Sequence, residues 1–253
     1  MHDTRTQRIE HERAFHNARF SHEVREAQRK YYSCIEHGTE HYMNRVRNLA
    51  RAADVLEYGC GERPEGLEVA PQARSMIGID ISDVAIADAA RLATQRGLAN
   101  TRYVRMDAEE LTFDAESFDL VFGNGIIHHL DLRRCFSAVS RVLRPGGRAL
   151  FWEPLGHNPV LNRYRDMTPQ ARTVDEHPLL RSDFDLAREQ FEIAELRFYG
   201  LTTIVSVPFG DTRLAKTVRM VTARLDEWMF RSPIRWLAWY ALLEFRKPDV
   251  PTG

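Results

Sequence analysis

Gly59-Cys60-Gly61 stands directly after the short apolar run Val55-Leu56-Glu57-Tyr58. Glycines at such a point remove the Cβ barrier and let a ligand approach the backbone. Asp80 closes a second apolar run about 20 residues later, a position from which a carboxylate accepts hydrogen bonds from both hydroxyls of a ribose. His128-His129 supplies imidazoles, which exchange protons near neutral pH. Glu153 follows another apolar run and can orient such a ring. His157 and His177, in a proline-rich stretch, are alternative bases or substrate ligands. No Asp/Glu/His cluster has the spacing of a metal site, and Cys34, Cys60 and Cys135 form no CxxC pair, so no metal is expected.

These side chains need a scaffold, and the periodicity predicts one. Strands are expected at 55–58, 75–79, 101–106, 118–122 and 148–152, separated by helices at 65–70, 82–96 and 132–143. Ser82 caps the second of these helices and Gly97 stops it. Pro145-Gly146-Gly147 is expected to end the third. Further along, 184–190 reads as a helix, 191–199 as a strand, 211–230 as a helical excursion and 239–245 as a final strand. Strands alternating with helices imply a parallel α/β sheet, in which ligands bind beyond the carboxyl ends of the strands. Gly59 and Gly61, Asp80, Asp107, Asn124 and Glu153 each follow a strand. Residues 1–51 read as two or three amphipathic helices. Residues 154–182 read as a structureless functional loop or lid.

The stretches VLEYGCG (55–61), IGIDIS (77–82), RMDAEEL (105–111), FDLVFGNGIIHHL (118–130) and RVLRPGGRALFWEP (141–154) carry a resemblance. Together they resemble the class I S-adenosylmethionine-dependent methyltransferases, in particular the small-molecule group with the ubiquinone/menaquinone-type enzymes (methyltransferase type 11). The GxG-plus-Asp pair alone describes an NAD-binding protein equally well, but the PGG turn and the HH pair do not belong to that class. The resemblance implies a Rossmann-like, doubly wound, seven-stranded sheet, mostly parallel with an antiparallel last strand. It also implies an N-terminal helical lid at 1–51 and a methyltransferase domain at 52–253 with substrate-side insertions at about 154–182 and 205–235.

Residue by residue, the resemblance puts Glu57, Gly59, Cys60 and Gly61 at the methionine end of S-adenosylmethionine. Asp80 would hold the ribose, Ile81 would pack on the adenine, and Asp107 with Ala108 would meet the adenine edge. Asn124 would sit near the methionine ammonium. His128, acting with Glu153, would be the catalytic base, with His129 beside it. Tyr31 and Tyr32 would belong to the lid over cofactor and substrate. One departure stands out: where the family has a third glycine (GCGxG), this chain has Gly61-Glu62-Arg63-Pro64. Arg63 either pairs with the cofactor carboxylate or faces solvent.

Charge and composition narrow the class of partner. Lys+Arg is 35 against Asp+Glu 36, a net charge of −1. A nucleic-acid binder needs a basic field to release counterions, so none is expected. The charged N-terminus is not expected to be a signal peptide, and no apolar run approaches the roughly 18 residues of a membrane span. A cytoplasmic protein, monomer or homodimer, is the expectation. Trp228, Phe230, Trp236, Trp239 and Tyr240 can floor an apolar pocket, pack under the last strands, or, with Arg224, Arg231 and Arg235, touch a membrane surface. The leading function is methylation of a small molecule, with oxygen as first acceptor and nitrogen or carbon second. The competing class is a non-catalytic cofactor-binding protein that kept the fold.

Overall fold

Among the described residues, seven strands form one sheet in the order β3-β2-β1-β4-β5-β7-β6. They are β1 (Asp54–Tyr58), β2 (Ser75–Asp80), β3 (Thr101–Arg105), β4 (Phe118–Asn124), β5 (Leu143–Pro154), β6 (Glu192–Tyr199) and β7 (Tyr240–Arg246). The computed structural model describes Glu10, Arg13 and residues 32–168, 176–210 and 212–249. Tyr31 and most of the expected N-terminal helices lie outside the described residues. Strands β1 to β5 pair in parallel, and β7 runs antiparallel to both β5 and β6. This is the expected doubly wound sheet with one reversed strand. Its order switches direction between β1 and β4, where open α/β sheets form a crevice for ligands.

The sheet holds together because its strands alternate at period two while both faces are covered. Val55, Leu120, Phe122, Leu150, Trp152 and Leu242 bury against one layer. Leu56, Tyr58, Val121, Phe151, Leu243 and Phe245 bury against the other. Among the described residues from Tyr32 onward the α-helices are α1 (Glu36–Leu49), α2 (Gly66–Val69), α3 (Asp83–Gln95), α4 (Leu132–Val142), α5 (Pro159–Asp166), α6 (Asp183–Arg188) and α7 (Arg213–Met229). Helix α1 lies close on β5 because Gly38 has no side chain: a Cβ there would come within 2.5 Å of Trp152 and 2.7 Å of Tyr199. Tyr42, one turn on, stacks on the Trp152 ring.

Four of the helices, α3, α4, α5 and α7, start at a side-chain cap. Ser82 Oγ accepts from Ala85 N–H, Asp131 from Arg134, Asn158 from Val160 and Leu161, and Thr212 from Ala215. One buried charge is fully met. Glu244, 1% exposed, accepts two hydrogen bonds from Arg45 at 2.6 and 2.7 Å and one from Arg148 at 2.9 Å. That bidentate geometry offsets the cost of taking a carboxylate out of water.

Two expectations are corrected. Pro145-Gly146-Gly147 is no turn between helix and strand, because α4 ends at Val142 and β5 begins at Leu143. The three residues form a bulge inside β5: Phe118 pairs with Leu143 but Leu120 with Arg148. The bulged backbone is still satisfied, since Gly146 N–H donates to Lys247 and Lys247 N–H to Gly147. Residues 154–182 are not structureless either; they contain α5, with Asn158 as cap and Pro159 in the first turn. Proline suits that position because its missing N–H would be unpaired anyway.

Candidate functional site

The carboxyl ends of β1, β4 and β5 converge on a cavity of about 540 Å³. Its floor is the turn after β1. Gly59 and Cys60 donate their N–H groups to Ile79 O, at 3.0 and 2.9 Å. Gly61 N–H donates to Asp80 Oδ2 at 2.9 Å, and Ser82 N–H to Asp80 Oδ1 at 2.8 Å. One carboxylate therefore fixes the glycine turn and the start of α3 together. Gly59 has φ +76° and a Cβ on it would meet the Ile126 side chain at 2.8 Å, so a side chain there would be both strained and crowded. Gly61 has φ +52° with nothing within 4 Å of its Cβ position, which leaves its backbone open towards a ligand.

Glu57 lines the same cavity. Its Oε1 accepts from Gly66 N–H at 3.0 Å, while Oε2 is buried without a hydrogen-bond partner. Burial, with the nearby Glu65 carboxylate adding, holds Glu57 well above the ordinary carboxylate range. Asn124, at the tip of β4, donates to Glu65 Oε1 at 2.7 Å, so the amide is pinned beside the glycine turn. The Cys60 thiol is also pushed up, mainly by burial, and stays neutral.

On the opposite wall, His128 Nδ1 lies 2.7 Å from Glu153 Oε2. Glu153 is fully buried, and its Oε1 accepts from both Ile126 and Ile127 N–H at 2.9 Å. The 3-10 turn Ile127–His129 thereby wraps the acid at the end of β5. The HH pair does not cap the next helix; Asp131 does that. Burial pushes Glu153 up to about 8, against the pull of its backbone donors. His129 stacks obliquely on His128, with ring centroids 4.1 Å apart.

Not every expected residue reaches this cavity. Asp80, Ile81, Asp107 and Ala108 stand at the ends of β2 and β3, outside its lining. Asp107 Oδ1 accepts from Glu109 N–H at 2.8 Å, and Ala108 O accepts from the Tyr58 hydroxyl. Tyr32 does line the cavity, stacked on Trp239. The two loop histidines do not. His157 Nε2 accepts from Arg181 N–H at 2.8 Å, and His177 Nε2 lies 3.0 Å from Asp183 while its N–H donates to His128 O. Both rings make hydrogen-bond or ion-pair contacts within the segment that carries them and lie outside the cavity lining.

Residues the sequence did not single out complete the wall: Thr39, Glu65, Tyr164, Arg165 and Glu176. Tyr164 and Arg165 ride on α5, which the Asn158-Pro159 start signal could have revealed. Arg63 is exposed at the rim. Glu176 has a further consequence: one ligand atom each from His128, His129 and Glu176 lies within 4.8 Å of the others. Two imidazoles and a carboxylate form a donor set for a transition-metal ion. The sequence hid this cluster because its acid comes from a distant segment.

Comparison with known proteins identifies a methyltransferase domain in the chain. Residues 55–147 match a family model described as a methyltransferase domain. Aklanonic acid methyltransferase DauC of Streptomyces sp. (strain C5) is 36% identical over 126 residues, 46% of this chain and 57% of that protein. The uncharacterized methyltransferase YcgJ of Bacillus subtilis (strain 168) is 31% identical over 112 residues, 44% of each chain. The chain thus spans about half the length of such curated relatives. Among solved structures, YcgJ superposes with a TM-score of 0.59 at 20% identity, over 83% of this chain and 100% of that one. Geranyl diphosphate C-methyltransferase from Streptomyces coelicolor A3(2), solved with Mg2+, geranyl diphosphate and S-adenosyl-L-homocysteine, gives 0.62 at 14%, over 84% and 80%. At such identities the structural likeness concerns the fold.

Proposed function

We propose that this chain, whose residues 55–147 form a class I methyltransferase domain, transfers a methyl group from S-adenosylmethionine to a small molecule, with a hydroxyl oxygen as acceptor. The observation that carries the reading is the facing of two parts across one cavity: the Glu57/Gly59–Gly61 turn and the His128–Glu153 pair. The turn fits the cofactor because Glu57 Oε2 is a buried acceptor without a partner and the Gly61 backbone is open. Asp80 and Asp107, at the neighbouring strand ends, are assigned its ribose and adenine ends, with Ile81 and Ala108 beside them. When bound, S-adenosylmethionine supplies a methyl group on an electrophilic sulfonium.

The remaining work falls to the chain's own residues. Methyl transfer needs the acceptor oxygen held in line and relieved of its proton. Glu153 engages His128 Nδ1, which makes Nε2 the ring nitrogen for the proton of the acceptor. The pair works as a base when the carboxylate is ionised and Nδ1 carries hydrogen, because Nε2 then holds its lone pair. Tyr32, Tyr164, Trp239 and Tyr240 wall the acceptor side and exclude water. We assign α1 and the segment leading into it the covering role expected of a lid, since Tyr32 and Thr39 close the cavity from that side. C-methylation is the second reading. It is the reaction named for the geranyl diphosphate enzyme and for UbiE of Idiomarina loihiensis, which is 38% identical over 76 residues.

The test is transfer of radiolabelled methyl from S-adenosylmethionine to the low-molecular-weight fraction of a cell extract, followed by NMR of the labelled product. Label on a small-molecule oxygen is expected. Label confined to RNA or protein overturns the small-molecule reading, and label on carbon moves the assignment to the second.

A further inference from the structure

Helix α7 turns an apolar strip to solvent. Leu214, Val221, Leu225 and Trp228 are 57, 59, 43 and 67% exposed, at spacings that return to one helix face. Val205 and Phe209, in the 3-10 segment Thr203–Phe209 packed on α7, are exposed as well. The orientation is fixed from behind: Ala215 and Asp226 are buried, and Asp226 accepts from the N–H groups of Leu201, Thr202 and Thr203. The strip is therefore held outward.

The charge beside it is lopsided. Between residues 212 and 235 the exposed charged side chains are Arg213, Lys216, Arg224, Arg231 and Arg235 against Glu227 alone, on a chain whose net charge is −1. An apolar strip with a tryptophan, bordered by cations on a helix fixed in one orientation, has the chemistry of an in-plane membrane contact. We propose that α7 and the turn following it dock on a phospholipid bilayer carrying anionic headgroups. A second copy of the chain is the poorer occupant. A two-fold contact repeats the same patch on both sides, which would set these cations against themselves, and like charges across an interface oppose binding. The inward side of the same helix reaches towards the cavity: Arg219 Nη1 donates to Ser33 O, next to the cavity-lining Tyr32.

The experiment is flotation of the full chain with phosphatidylcholine vesicles, with and without phosphatidylglycerol, at low and high salt. Binding is expected only to the anionic vesicles and is expected to fall steeply with salt. The double variant Leu225→Glu/Trp228→Glu should lose that binding while keeping the wild-type circular dichroism spectrum. The double variant Arg213→Glu/Arg224→Glu touches only exposed charges at the edge of the strip and should weaken partitioning by about tenfold or more. Absence of binding to any vesicle, equal binding to neutral vesicles, or wild-type binding by both variants overturns the proposal. So does a dimer in sedimentation velocity that Trp228→Glu dissociates, since the second copy is then the occupant.

Discussion

Glu153 divides its two oxygens between backbone and ring: Oε1 takes Ile126 and Ile127 N–H, and Oε2 takes His128 Nδ1. Replacing it with Gln leaves an oxygen for the backbone donors but presents an NH2 to Nδ1. Nδ1 must then accept, the proton moves to Nε2, and the acceptor's proton has nowhere to go. Glu153→Gln and His128→Ala should each lower turnover about 10²–10⁴-fold, as loss of a general base does, while leaving the affinity for S-adenosylmethionine unchanged. Turnover assays beside calorimetry check this. Turnover lost to EDTA and restored by a divalent ion would instead assign His128, His129 and Glu176 to a metal.

The same acid sets opposite signs for activity and stability. With Glu153 raised from an ordinary 4.5 to about 8, the folded chain binds its proton over a range in which the unfolded chain has released it. Stability from this group is complete below about 4.5 and is lost as pH rises towards about 8. The base needs the ionised form, so turnover should climb over the same range. Thermal melts against pH should slope downward there, and Glu153→Gln should flatten them. Asn124 and Glu153 were legible in the sequence because each stands at the end of a strand whose apolar run announces it, and His128 because its imidazole pair follows β4 in the next turn. Glu176 and Thr39 were not, since a residue on a loop or a helix flank reaches a cavity only through tertiary packing.

At the scale of elements, close approach explains α1. Gly38→Ala would drive a Cβ into Trp152 and Tyr199, and overpacking of this kind costs about 1–3 kcal/mol. Chemical denaturation should show that loss, with Gly97→Ala losing through its φ of +68° rather than through any clash. Helix α5 depends on Asn158, which caps Val160 and Leu161 and also donates to Leu237 O at 2.7 Å. Asn158→Ala should cost about 1–2 kcal/mol and should loosen Tyr164 and Arg165 at the cavity wall. Protease sensitivity within the insertion reads out the second effect. The parallel strands were legible because buried strands write continuous apolar runs. The insertion was misread because its four prolines outweighed the Asn158-Pro159 start signal. The PGG bulge was misread because a positive-φ glycine ends a helix in one context and kinks a strand in another. Only pairing with Lys247 decides between them.

At the scale of the molecule, one sheet gathers the ends of five parallel strands at one rim, so residues spread from Glu57 to Glu153 can serve a single ligand. The chain's net charge is −1, so the exposed cations on α7 stand out only locally. Ligand bound only by the folded state adds stability by mass action. Saturating S-adenosylmethionine, at about 100 times its Kd, should therefore add about 2.7 kcal/mol. For a chain of this length that is a Tm rise of about 5–10 °C.

Calorimetric titration with S-adenosylmethionine is the most direct measurement of the central claim, because it needs no knowledge of the acceptor. One cofactor should bind per chain, and Asp80→Ala should weaken it tenfold or more, about 1.4 kcal/mol, by removing the anchor of the Gly61 turn and the ribose acceptor proposed for it. Wild-type chain that gives no heat at cofactor on the order of 1 mM would contradict the account.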